Sequence, residues 1–72
     1  MPTLDLHGEK YEWVQQKVHS FVYNNDLPVR IITGKSSEMR KIVVDTVELL
    51  GYHSRYERLT NEGCLVITEQ EY

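Results

Sequence analysis

Asp5 and His7 lie two residues apart in the run Leu4-Asp5-Leu6-His7-Gly8, and both side chains can move protons. An imidazole titrates near neutral pH and is the commonest general acid or base. A carboxylate beside it can orient the ring or help bind a cation. Thr3 to His7 alternates apolar and polar residues, which predicts a short strand. Residues two apart on a strand share a face, so Asp5 and His7 would act together. A plainer reading also fits, in which His7 caps a strand end and Asp5 is solvated.

A second group is Thr33-Gly34-Lys35-Ser36, between an apolar run and a helical pattern. That order puts a helix N-terminus at the carboxyl end of a strand, where free N–H groups and a partial positive charge suit phosphate. Gly34 allows close backbone approach. Lys35 and Arg40 add positive charge. The glycine spacing is not that of a P-loop. Taken alone, the segment reads first as a plain strand-to-helix turn with a serine cap.

Other reactive or aromatic residues carry less. No His, Cys, Asp and Glu set has zinc-ligand spacing. Cys64 reads as core filler rather than nucleophile. His19 falls on the solvent flank of a helix, and His53 begins a strand without an assigned role. Trp13, Tyr23, Tyr52 and Tyr56 could stack on bases, with Tyr56 on the sheet the foremost, while Tyr11 and Phe21 read as core.

These groups need elements to hold them. From Glu9 to Asn24 the apolar residues Tyr11, Val14, Val18, Phe21 and Val22 fall in steps that make one helical stripe, with Glu9 and Glu12 in the first turn. Asn24-Asn25-Asp26 stops it, and Pro28 opens a β-branched strand, Val29 to Thr33. Ser36 or Ser37 caps a second helix running to about Leu50, with Met39, Ile42, Val43, Val47 and Leu50 inward and Gly51 as its left-handed end. Tyr52 to Arg58 predicts a third strand, Thr60 to Gly63 a hairpin turn, and Cys64 to Thr68 a fourth strand.

The order β-α-β-α-β-β predicts a two-layer α/β (α+β) sandwich, a four-stranded mixed sheet with both helices on one face, its crossovers making it mostly parallel. His7-Gly8 and Thr33–Ser36 would then meet at the carboxyl edge of the sheet, where ligands bind in open α/β sheets.

The 72 residues allow one domain, covering 1–72. One cysteine cannot staple the chain, so packing must hold it. No apolar run reaches the length of a membrane span and no signal pattern opens the chain, so a cytoplasmic protein is expected. The net charge of −3 disfavours nucleic-acid binding by the whole surface but permits a local basic face. Arg30, Lys35, Arg40, Lys41, Arg55 and Arg58 lie in the middle of the chain, whereas Glu62 to Glu71 holds three acids and no base.

Leu4-Asp5-Leu6-His7-Gly8 resembles the opening L-D-L-H-G signature of Smr (small MutS-related) domains, and Ile31-Ile32-Thr33-Gly34-Lys35 resembles their second signature. The likeness extends from about Thr3 to Thr68 and includes the order of elements. It implies a fold similar to the C-terminal domain of bacterial translation initiation factor three. It further implies binding of DNA or RNA, with endonuclease (nicking) activity in some members and a divalent cation, Mg or Mn, as cofactor in some. On that likeness Asp5 and His7 would be catalytic, and Thr33, Gly34, Lys35 and Ser36 would contact nucleic acid; beside them Gly8 and Arg40 are expected to help hold the phosphate. Ser36 stands where the family keeps a glycine, and Ser37-Glu38-Met39 follows where many members carry a histidine. Two other functions fit the same residues: a nucleic-acid-binding module without catalysis, and a protein-interaction module.

Overall fold

In the computed structural model, which describes residues 1–58 and 60–69, four strands and two helices alternate as the sequence predicts. Strand β1 is Thr3–Asp5, helix α1 is Tyr11–Asn24, β2 is Val29–Ile32 and α2 is Ser37–Leu49. Strands β3, His53–Arg58, and β4, Asn61–Thr68, complete the domain. Pro28, joined to Leu27 by a cis peptide, precedes β2. Among the described residues no helix is long and apolar enough to cross a membrane.

The sheet order is β1-β2-β4-β3. Strands β1 and β2 are parallel, and β4 runs antiparallel to both of its neighbours, β2 and β3. The sheet is therefore mixed, with one parallel pair and two antiparallel pairs, rather than mostly parallel. The hairpin bringing β4 back lets it enter between β2 and β3, because two parallel strands leave facing edges that an antiparallel strand can bond on both sides.

Alternation along the strands divides the sheet into two faces. Val29 and Ile31 of β2 and Leu65 and Ile67 of β4 join Leu6, Val14, Val18, Val22, Met39, Val43 and Val47 in one core cluster. Both helices thus lie on one side, each burying one stripe. The aromatic rings Phe21 and Tyr52 pack at the margin of this cluster, and its centre is aliphatic.

The other face is shielded by charged side chains. Arg30 and Glu57 pair across β4. Cys64, Val66 and Thr68 on that strand are buried although no helix covers them. Long side chains can lay their stems over apolar surface and keep their heads in water.

Several boundaries differ from the sequence reading: β2 ends at Ile32 rather than Thr33, β3 begins at His53 rather than Tyr52, and three further ones bear on the site. Helix α1 starts at Tyr11 rather than Glu9, because Lys10 takes the N-cap position and the Glu9 carboxylate reaches Lys17 Nζ at 2.7 Å. Strand β4 starts at Asn61, and Arg58 pairs with Asn61, so the turn is tighter than Thr60 to Gly63. The first strand ends at Asp5, although Leu6 N–H still donates to the Ile32 carbonyl at 2.8 Å.

Candidate functional site

Two segments that are far apart in sequence line one cleft of about 450 Å³. From the β1–α1 side come His7, Gly8, Glu9, Lys10 and Tyr11, and from the β2–α2 side Thr33, Gly34, Lys35, Ser36 and Met39. Parallel pairing of β1 and β2 is what brings them together, because both strands end at the same edge of the sheet. Both helices also begin there, so two helix N-termini with their partial positive charge border the cleft.

Asp5 shapes the first loop. Its Oδ1 accepts the backbone N–H of His7 at 2.9 Å, a side chain-to-backbone turn two residues long. Asp5 therefore holds the His7 main chain, and it is not among the residues lining the cleft. His7 itself is exposed at the cleft wall, beyond the end of the strand.

The second loop is fixed from two directions. Thr33 N–H and Gly34 N–H both donate to the Gly63 carbonyl, at 2.8 and 3.2 Å. Gly34 has φ +68, and a Cβ there would meet the His7 ring carbon Cδ2 at 3.3 Å. Glycine is thus needed at position 34 both for backbone conformation and for the packing of His7. A Cβ at Gly63 would in turn lie 3.3 Å from Gly34 main-chain atoms, so β4 supports the loop by close backbone contact.

Ser36 is the N-cap of α2, its Oγ accepting the Met39 N–H at 3.1 Å. Its φ of −74 suits any residue, so the serine costs no backbone strain where the resembled family has glycine. The same Oγ lies 2.7 Å from the Tyr11 hydroxyl. That contact joins the start of α1 to the start of α2. Helix α1, by contrast, has no side-chain cap.

The charges at the cleft are mixed but locally basic. Lys10 and Lys35 are exposed along it. The Glu9 carboxyl is held below its ordinary range, first by the hydrogen bond from Lys17 and by that ammonium's charge. A backbone phosphate entering the cleft would meet two lysines and an acid already paired.

Of the residues predicted to form the site, His7, Gly8, Thr33, Gly34, Lys35 and Ser36 are brought together, while Asp5 stands behind the loop. Arg40 is not brought in. It lines a different groove, with Val44, Ser54, Tyr56 and Leu65, where its Nη2 approaches Glu62 at 3.8 Å and its buried Nη1 has no partner among the described residues. Tyr11, predicted as core, is 43% exposed. Lys10, Tyr11, Met39 and Gly63 were missed as parts of the site. For Gly63 the sequence offered only the turn residues Asn61-Glu62-Gly63, and in the structure Asn61 Oδ1 accepts the Gly63 N–H.

Divalent cations need several oxygen ligands. Among the described residues no group of three or more His, Cys, Asp or Glu is placed to hold a metal. Asp5 is a single carboxylate, and its Oδ1 is already bonded to the backbone. Burial, and then the nearby Glu57 charge, push the Cys64 thiol up from its ordinary value, which lowers its thiolate fraction.

Compared with family models, with curated proteins and with solved structures, the chain matches none, and its site is read from its own geometry.

Proposed function

We propose that this domain binds the sugar–phosphate backbone of DNA or RNA in the cleft between the β1–α1 and β2–α2 loops. The observation that carries this is the convergence of His7 and the Thr33–Ser36 segment at the start of both helices. Phosphate oxygens would accept hydrogen bonds from helix-start N–H groups and from Lys10 and Lys35. The likeness of the two motifs to those of Smr domains points the same way.

His7 lies at the cleft wall, where it would take a proton from a water attacking a bound phosphodiester, or give one to the leaving oxygen, if the strand is nicked. Binding without cleavage is the second reading, and one observation favours it. Asp5 spends an oxygen on the His7 backbone rather than orienting its imidazole.

The test has two arms. Fluorescence anisotropy at low salt with labelled DNA and RNA should show binding, weakened by about tenfold in Lys35→Ala through loss of a charged hydrogen bond. Supercoiled plasmid and structured RNA are then incubated with Mg²⁺, Mn²⁺ or a chelator. Nicking that disappears in His7→Ala assigns the proton transfer to His7. Binding with no nicking in any condition leaves the binding module. A protein that holds neither DNA nor RNA at low salt overturns the proposal and favours a protein-interaction module.

A further inference from the structure

We infer that the cleft takes an unpaired nucleotide, with its base against the Tyr11 ring and its phosphate at Lys35, so that the preferred target is single-stranded. This rests on the backbone-binding function just proposed and adds the class of nucleic acid.

The first ground is size. A cleft of about 450 Å³ lies in the range that holds a drug-sized ligand, which a lone phosphate group would leave mostly empty. The second is the make-up of the wall. His7, Lys10, Lys35 and Ser36 are polar, but the Tyr11 ring also lines the cleft, and only its hydroxyl could serve a phosphate. A duplex keeps its bases stacked inside and presents sugar and phosphate, so it would leave that apolar side unfilled. An unpaired base has a free π-face, which aromatic rings bind whatever the sequence.

The third ground is order. Tyr11 is 43% exposed, yet its hydroxyl is anchored to Ser36 Oγ at 2.7 Å. The ring is tied at the backbone by the first turn of α1 and at the hydroxyl by the cap of α2. A ring held at both ends has little freedom to lose when a base stacks on it. Tyr56, the aromatic that the sequence favoured for stacking, lines the Arg40 groove and not the lysine-bearing cleft.

The experiment compares short fluorescein-labelled single-stranded DNA, single-stranded RNA and duplex DNA by anisotropy. Single strands should bind more tightly than duplex. Tyr11→Ala should lower single-strand affinity by about 5- to 150-fold, the range of one stacked base, and bring it toward the duplex value. Tyr11→Phe keeps the ring and should recover most of the preference, which a purely structural role for the Ser36 contact would not allow. Tyr23→Ala, on an exposed residue at the other end of α1, serves as the control and should not alter the preference. Duplex bound as well as single strand, or Tyr11→Ala without effect while Lys35→Ala still weakens binding, overturns this inference and leaves the backbone-binding function standing. Loss of all nucleic-acid binding in the wild type would instead remove that function itself.

Discussion

The Asp5 carboxylate acts on its own loop. By accepting the His7 N–H it sets the direction in which the imidazole leaves the backbone, and Gly34 receives the ring. The pair His7 and Gly34 thus forms one packed unit although a helix separates the two residues in sequence. Gly34→Ala is expected to cost about 1–2 kcal/mol, since a side chain at positive φ is strained. It would also displace His7, because the new Cβ would stand 3.3 Å from Cδ2. A urea melt should show the lower midpoint, and the His7 ring resonances in an NMR spectrum should move. A Gly34→Ala variant as stable as wild type, with an unmoved His7, would contradict the packing described. The sequence made the residue types at this site legible, but not their partners. Asp5-x-His7 reads as an acid–base pair because the spacing is right, whereas the hydrogen bond that Asp5 makes is to a main-chain group that no side-chain pattern displays.

At the scale of elements, the start of α2 carries the most. Ser36 both caps the helix and holds the Tyr11 hydroxyl. Ser36→Ala should cost about 0.5–2 kcal/mol from the lost cap. For a domain of this size each kcal/mol lowers Tm by about 4–8 °C, which a thermal melt by circular dichroism resolves. An unchanged Tm would mean that the cap is not used in solution. The elements were readable because apolar stripes and alternation are local signals: the Val14, Val18 and Val22 stripe and the Val29 to Ile32 run are both where the sequence places them. Their edges depend on competing contacts. Glu9 precedes the Lys10 N-cap with its carboxylate on Lys17, and Asn61 to Gly63 extend β4, where Asn61 pairs with Arg58. Tyr11 fits the apolar stripe of α1, but it opens the helix at the rim, where the core has ended.

On the scale of the whole molecule, a net charge of −3 and a local cluster of two lysines make opposite contributions to binding a polyanion. In the proposed binding mode only the cluster would form close contacts, so few counterions should be released. With Lys10 and Lys35 each neutralising one phosphate, the plot of log affinity against log salt should fall with a slope of about −1.4 to −1.8. Anisotropy titrations across a salt series measure it. A slope near about −5 would show that a much wider surface binds, and would move the interface away from this cleft. The strand order was the least legible feature at this scale. Nothing local in Cys64 to Thr68 states that these residues enter between β2 and β3 rather than adding at an edge, and that placement follows from the free bonding edges of the two parallel strands.

That placement also governs how the sheet can be completed. Of the four strands, the one synthesised last is the one that joins β2 to β3, and its Gly63 carbonyl is what holds the Thr33–Gly34 loop in place. A nascent chain halted before Asn61 would have two helices and three strands but no continuous sheet to lay them on. The cleft rim would be equally unformed, since its prop arrives with the same segment. The continuous sheet and the cleft therefore depend on the same last strand.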